Sequence, residues 1–123
     1  GLIPSSRTDT AIKEIQDGID SLDIARQIAL ENAGIEITNL VNKLNTSRKT
    51  IEANTSSVQL ARRNFQLTEE AYNVGTRELL DVESAQNDLL AAAQQLLLAK
   101  YEYIAGLLDL EYALNAKGDE FLK

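Results

Sequence analysis

One feature constrains this chain more than any other. From Ile37 onward every seventh residue is large and apolar, through Leu44, Ile51, Val58, Phe65 and Tyr72. Seven residues make close to two turns of α-helix, so such a row stays on one side of a helix and is buried only by a second helix lying along it. The companion position reads Leu40, Ser47, Asn54, Ala61 and Thr68, so large layers alternate with small or polar ones. That seam is narrow and partly wet. Upstream, Ile12, Ile15, Ile19 and Leu22 keep the same alternating three-and-four spacing, and the pattern then shifts to Leu30, Ala33, Ile37, Leu40 and Leu44. The shift equals an insertion of four residues, a stutter that relaxes a left-handed supercoil without ending the helix.

A second helix carries a matching pattern. Val82, Leu89, Leu96, Tyr103 and Leu110 hold one position, and Ala85, Ala92, Ala99, Gly106 and Ala113 hold the other. A row of large residues beside a row of small ones lets two helix axes approach closely. Both helices also carry apolar residues beyond the seam: Leu90, Leu97 and Ile104, joined by Ala93, Leu107 and Leu114, on the second, and Ile24, Ile28 and Ile35 on the first. A helix with two apolar flanks requires two helical neighbours. An ordinary three- or four-helix bundle and a ring of helices satisfy that requirement equally.

Composition narrows the chemistry. With one Pro, at position 4, and six Gly, little interrupts regular structure in the 123 residues. The first helix is expected over residues 11–72, about 95 Å at about 1.5 Å per residue, and the return helix over 78–116. Residues 1–10 read as an extended segment with helix-capping residues, 73–77 as the turn, and 117–123 as a tail. Cys and His are absent, which removes thiol chemistry, imidazole bases and the usual zinc or iron ligands; no catalytic, metal or cofactor site is expected. Paired acids such as Asp81 and Glu83 lie two apart and point to different helix faces, so an enzyme is not expected. The net charge of −7 argues against nucleic acid. Residues 1 to 77 carry ten acids and nine bases, whereas residues 78 to 123 carry nine acids against Lys100, Lys117 and Lys123. No run reaches the length of a membrane span and no leader pattern opens the chain, so an exported protein would contain it as a fragment.

The stretch "EEAYNVGTRELLDVESAQ" (Glu69 to Gln86) departs from the helical pattern around it. Gly75 suits the left-handed residue that ends a helix, Asn73 tolerates such geometry, and Glu78 falls where the first turn of the next helix favours an anion. The stretch therefore reads as an antiparallel hairpin turn.

From Tyr72 to Leu114, "YNVGTRELLDVESAQNDLLAAAQQLLLAKYEYIAGLLDLEYAL" resembles the C-terminal periplasmic hairpin of the TolC family of outer-membrane efflux and secretion channels. The shared pattern is a Tyr, two residues and Gly, then a Leu/Val–Asp–Val run, a Gln- and Ala-rich return helix and a Tyr-containing "L…AL" ending. The opening "LIP" is similar in position to the residues just after a membrane strand. Two departures stand out: Ser84 replaces a second acidic residue found in some members, and "NAKGDEFLK" lacks the short Ala-Leu-Gly ending.

The resemblance implies an all-α fold, a long antiparallel coiled-coil hairpin that is one segment of a trimeric twelve-helix α-barrel. It implies a passive conduit for multidrug efflux or type I secretion, working with a periplasmic adaptor (membrane-fusion) protein and an inner-membrane transporter. The full-length protein would be a homotrimer held in the bacterial outer membrane by strands absent from this chain, with this segment periplasmic. Val74, Gly75 and Thr76 would form the tip that docks on the adaptor; a plain turn explains them equally. Tyr72 and Arg77 would link to a neighbouring hairpin and keep the tip closed, and Asp81 would project into the constricted mouth, where threefold repetition favours cations. Without the resemblance, Arg77 reads as a solvated residue and Asp81 as an acid at a helix N-terminus. A stand-alone structural coiled coil, such as the hairpin of a membrane-fusion adaptor, is the alternative.

Overall fold

The computed structural model describes residues 3–122, with side chains over residues 6–120. It contains two helices, α1 (Ile3–Asn73) and α2 (Leu79–Leu122). These are 71 and 44 residues long, or about 105 and 65 Å. No strand occurs among the described residues. The chain divides into two compact units, Gly1–Thr38 and Asn39–Lys123.

In residues 39–122 the two helices run antiparallel. A β-carbon added to Gly106 would lie 2.9 Å from Leu44 Cδ2, and Asn54 Nδ2 donates to the Gln95 carbonyl at 3.3 Å. As the residue number rises along α1, that of its partner on α2 falls. Stepping by heptads from Leu44 and Gly106 sets Ile51 opposite Ala99, Val58 opposite Ala92 and Phe65 opposite Ala85. Each large residue of α1 thus meets a small one of α2. Ala85, Ala99 and Ala113 are the most enclosed residues of α2, at 4–5 % exposure, and Val58 is the most enclosed of the large α1 residues. The companion rows, Leu40 to Thr68 on α1 and Val82 to Leu110 on α2, are half-buried throughout. Over residues 39–122 both expected seams are observed in register, apart from Tyr72, which is exposed while Ala71 is half-buried, whereas the upstream row Ile12, Ile15, Ile19 and Leu22 is exposed throughout.

The core is thin. No described side chain is fully buried, and residues off the seam stay open, including Leu90, Leu97, Tyr101, Ile104, Leu108 and Tyr112 on α2. In the N-terminal unit, Ile12, Ile15, Ile19, Leu22, Ile24 and Ile28 are all more than half exposed. The helix passes through the predicted stutter without interruption.

The helix ends depart from expectation. Helix α1 starts at Ile3 and not at residue 11, because Pro4 falls in the first turn, where a missing backbone N–H removes no helical bond. Thr10, in the segment where several residues could cap, instead donates from Oγ1 to the Ser6 carbonyl at 3.0 Å within the helix. Helix α2 continues to Leu122 and not to residue 116; Gly118 is accommodated inside it, at a cost of about 1 kcal/mol relative to Ala. Residues 1, 2 and 123 of the expected terminal segments lie outside the described residues.

The opposed large and small rows make substitutions on α2 unequal. Ala99→Leu puts three extra carbons where the helices are closest and should destabilise the hairpin by about 1–3 kcal/mol. Leu98→Ala, at a position 55 % exposed, should change stability by less than about 0.5 kcal/mol. Thermal melts followed by circular dichroism would compare them, and equal effects would show that the closest approach lies elsewhere.

The hairpin tip as candidate functional site

The last turn of α1 ends in a tightly bonded loop. Gly75 adopts φ +82°, the one positive φ among the described residues. This left-handed geometry turns the chain so that the Thr76 N–H reaches the Ala71 carbonyl at 2.9 Å and the Gly75 N–H reaches the Tyr72 carbonyl at 3.0 Å. That pair of bonds is the Schellman arrangement, which satisfies carbonyls a helix end would otherwise leave unpaired. Thr76 adds a third bond, its Oγ1 donating to the same Ala71 carbonyl at 3.0 Å. Thr76 therefore acts in the turn through both backbone and side chain, while Gly75 supplies the backbone freedom.

Helix α2 is capped just as locally. The Glu78 N–H donates to Asp81 Oδ2 at 3.0 Å, and the Asp81 N–H donates to the Glu78 carbonyl at the same distance. This is the side-chain half of a capping box, with Asp in the place usually held by Glu or Gln. Glu78 precedes the helix, and Asp81 is the acid in its first turn. The expectation that Glu78 fills that role is corrected accordingly. Asp81 is half-buried, with one carboxylate oxygen engaged in the cap. Glu83 is exposed on another face.

The remaining side chains at the tip are not needed to build it. Val74 is 75 % exposed, and Tyr72 is 41 % exposed with no hydrogen bond from its hydroxyl among the described residues. Arg77 is exposed and lines a polar recess of about 150 Å³ with Asn64, Thr68, Asp81, Ser84 and Asp88. Arg77 and Asp81 thus share one recess, and Tyr72 lies outside it. Sequence reasoning missed two features. Leu79 and Leu80 are exposed and extend the apolar tip begun by Val74. Their signal was a Leu pair off both seams in a first helical turn. Asp88 lies one heptad beyond Asp81 on the same recess, a spacing visible in the sequence. The described residues contain no group of acids placed to hold a metal ion, and no described helix is long and apolar enough to cross a membrane.

Local bonding at the tip makes its two key residues separable. Gly75→Ala forces a β-carbon into the left-handed region and should cost about 1–2 kcal/mol. Asp81→Ala removes the cap and should cost about 1 kcal/mol, whereas Asp81→Asn keeps an acceptor oxygen and should cost less. Urea titrations of the three variants would test this order; an Asp81→Asn loss as large as that of Asp81→Ala would show that charge, not the cap geometry, supports the turn.

Comparison with known proteins agrees with this architecture. Residues 5–116 match the family described as outer membrane efflux protein. Over 81 residues, 66 % of the chain, it is 36 % identical to the outer membrane protein TolC of Salmonella enteritidis and 33 % identical to that of Escherichia coli strain K12. Over 79 residues it is 32 % identical to TolC of Vibrio cholerae. The matched stretch makes up 16 to 18 % of those relatives, so the chain corresponds to a small part of their length. No solved structure matches the chain at a significant level. With the family model covering most of its residues, the chain belongs to the outer membrane efflux protein family.

Proposed function

We propose that this hairpin is a wall segment of a TolC-like conduit, one part of a trimeric twelve-helix α-barrel through which efflux or type I secretion cargo passes. The family places the protein in the outer membrane, with this helical segment on the periplasmic side. The observation that carries the reading is the division of labour at the tip. Its backbone is tied locally through Gly75, Thr76 and Asp81, while Tyr72, Val74, Arg77, Leu79 and Leu80 stay exposed at the end of a long hairpin.

In a ring of hairpins each helix needs a neighbour on either side, which accounts for the apolar residues left open on α2. The apolar tip around Val74, Gly75 and Thr76, extended by Leu79 and Leu80, is the surface that docks a periplasmic adaptor, itself working with an inner-membrane transporter. Tyr72 and Arg77 hold neighbouring tips together through a phenolic hydroxyl and a forked guanidinium. Asp81, repeated about the threefold axis, gives the mouth a cation preference, and its second role as a cap fixes the direction of its carboxylate. The match to efflux proteins favours this reading over a stand-alone adaptor hairpin.

The test uses the full-length trimer in planar bilayers. Tyr72→Phe with Arg77→Ser removes the two linking groups and leaves Gly75 and the seams intact, and conductance should rise. Asp81→Asn should separately weaken cation preference, and the effect should shrink as the screening length falls from about 10 Å at 0.1 M salt to about 3 Å at 1 M. Unchanged conductance in the double variant, with the trimer intact, would leave Tyr72 and Arg77 as turn-flanking residues and move the gate elsewhere.

A further inference from the structure

Beside the crossing of Leu44 and Gly106, where the Leu44 side chain fills the place a β-carbon would take, the two helices leave a recess of about 450 Å³ open along one side of the hairpin. Its volume falls in the range of sites that take small organic molecules. Leu44, Ala105 and Gly106 make an apolar floor. Glu102 and Asp109, one heptad apart, form one wall, and Ser47 and Thr50 stand on the other. The Thr50 hydroxyl spends its hydrogen on the Thr46 carbonyl at 3.1 Å, which leaves only its lone pairs for a visitor. Lys43 is the single cation on the rim, against two carboxylates, and no ion pair joins it to either among the described residues.

We infer that this recess binds amphiphilic amines in their protonated form. The recess is rich in acceptors and carries a net negative charge, so a ligand that donates N–H bonds fits it and an anion does not. The floor takes the apolar body of such a ligand, the ammonium group pairs with Glu102 or Asp109, which stand about 10 Å apart along α2, and Thr50 offers a further acceptor on the facing helix. Because the carboxylates are exposed, each contributes modestly, as exposed ion pairs do. The site depends only on the two helices of this chain, so it stands or falls independently of the barrel reading.

The 123-residue chain, labelled with ¹⁵N, would be titrated with protonated phenethylamine and followed by amide shifts. Perturbations should cluster at residues 43–50 and 102–109 and spare Asp81 and Asp88. Glu102→Gln and Asp109→Asn should each weaken binding about 1.5- to 5-fold, and Lys43→Gln should strengthen it. The N,N,N-trimethyl analogue, which lacks N–H donors, should bind more weakly, and phenylpropionate should leave the recess unperturbed. Undisturbed tip amides would show that each variant keeps its fold. Three results would overturn the proposal: no shift at about 10 mM amine, where a millimolar site is mostly filled; equal shifts at every carboxylate; or unchanged affinity when both acids are replaced.

Discussion

The structure depends on how closely two helix axes can approach when the large row of each faces the small row of the other. Leu44 reaches the backbone of Gly106, and successive heptads repeat the relation with Ile51, Val58 and Phe65 against alanines. Had both facing rows been large, the axes would have moved apart. Close approach also explains the thin core. Small residues supply little area of their own, so each layer buries part of one Leu, Ile or Val, on the order of 1 kcal/mol, and stability accumulates along the length.

The same economy shapes the tip. A Schellman turn on one side and half of a capping box on the other satisfy several of the backbone groups that two helix ends would leave unpaired, using Gly75, Thr76 and Asp81. Everything else that projects from the turn is released from structural duty. Asp81 is the exception: its carboxylate orients the first turn of α2 and also faces the recess shared with Arg77. A charge fixed by a backbone bond keeps its position without the conformational cost of an unrestrained side chain.

Much of this was legible in the residues. The seams were readable because a seven-residue period leaves no alternative face for Ile37 to Phe65 or for Ala85 to Ala113, and Gly75 was readable because few other residues tolerate a positive φ. The helix ends were not. Ser5 to Thr10 look like caps because their side chains can bond the backbone, yet the same groups can bond a carbonyl four residues back inside a helix, as Thr10 does. Pro4 is compatible with both an extended strand and a first helical turn. Glu78 and Asp81 compete for the same cap, and only the geometry of the turn decides that Asp81 reaches back. The recess beside Gly106 was hidden because the sequence does not report which residues of the two helices, such as Ser47 and Glu102, come to line one groove.

The closed end of the hairpin also orders how the chain assembles in time. Contacts across the seam join residues about 20 apart near the tip, Phe65 with Ala85, and about 60 apart at Leu44 and Gly106, so direct closure of the outer layers carries a larger entropy cost. Each layer that forms beside the turn brings the next pair within reach, and contacts of this local kind are associated with fast folding. Within residues 39–122 this ordering favours folding that zips outward from Gly75 and unfolding that starts at the open end. A substitution that loosens the turn slows the zipper at its nucleus, whereas one at Leu44 mainly speeds its fraying.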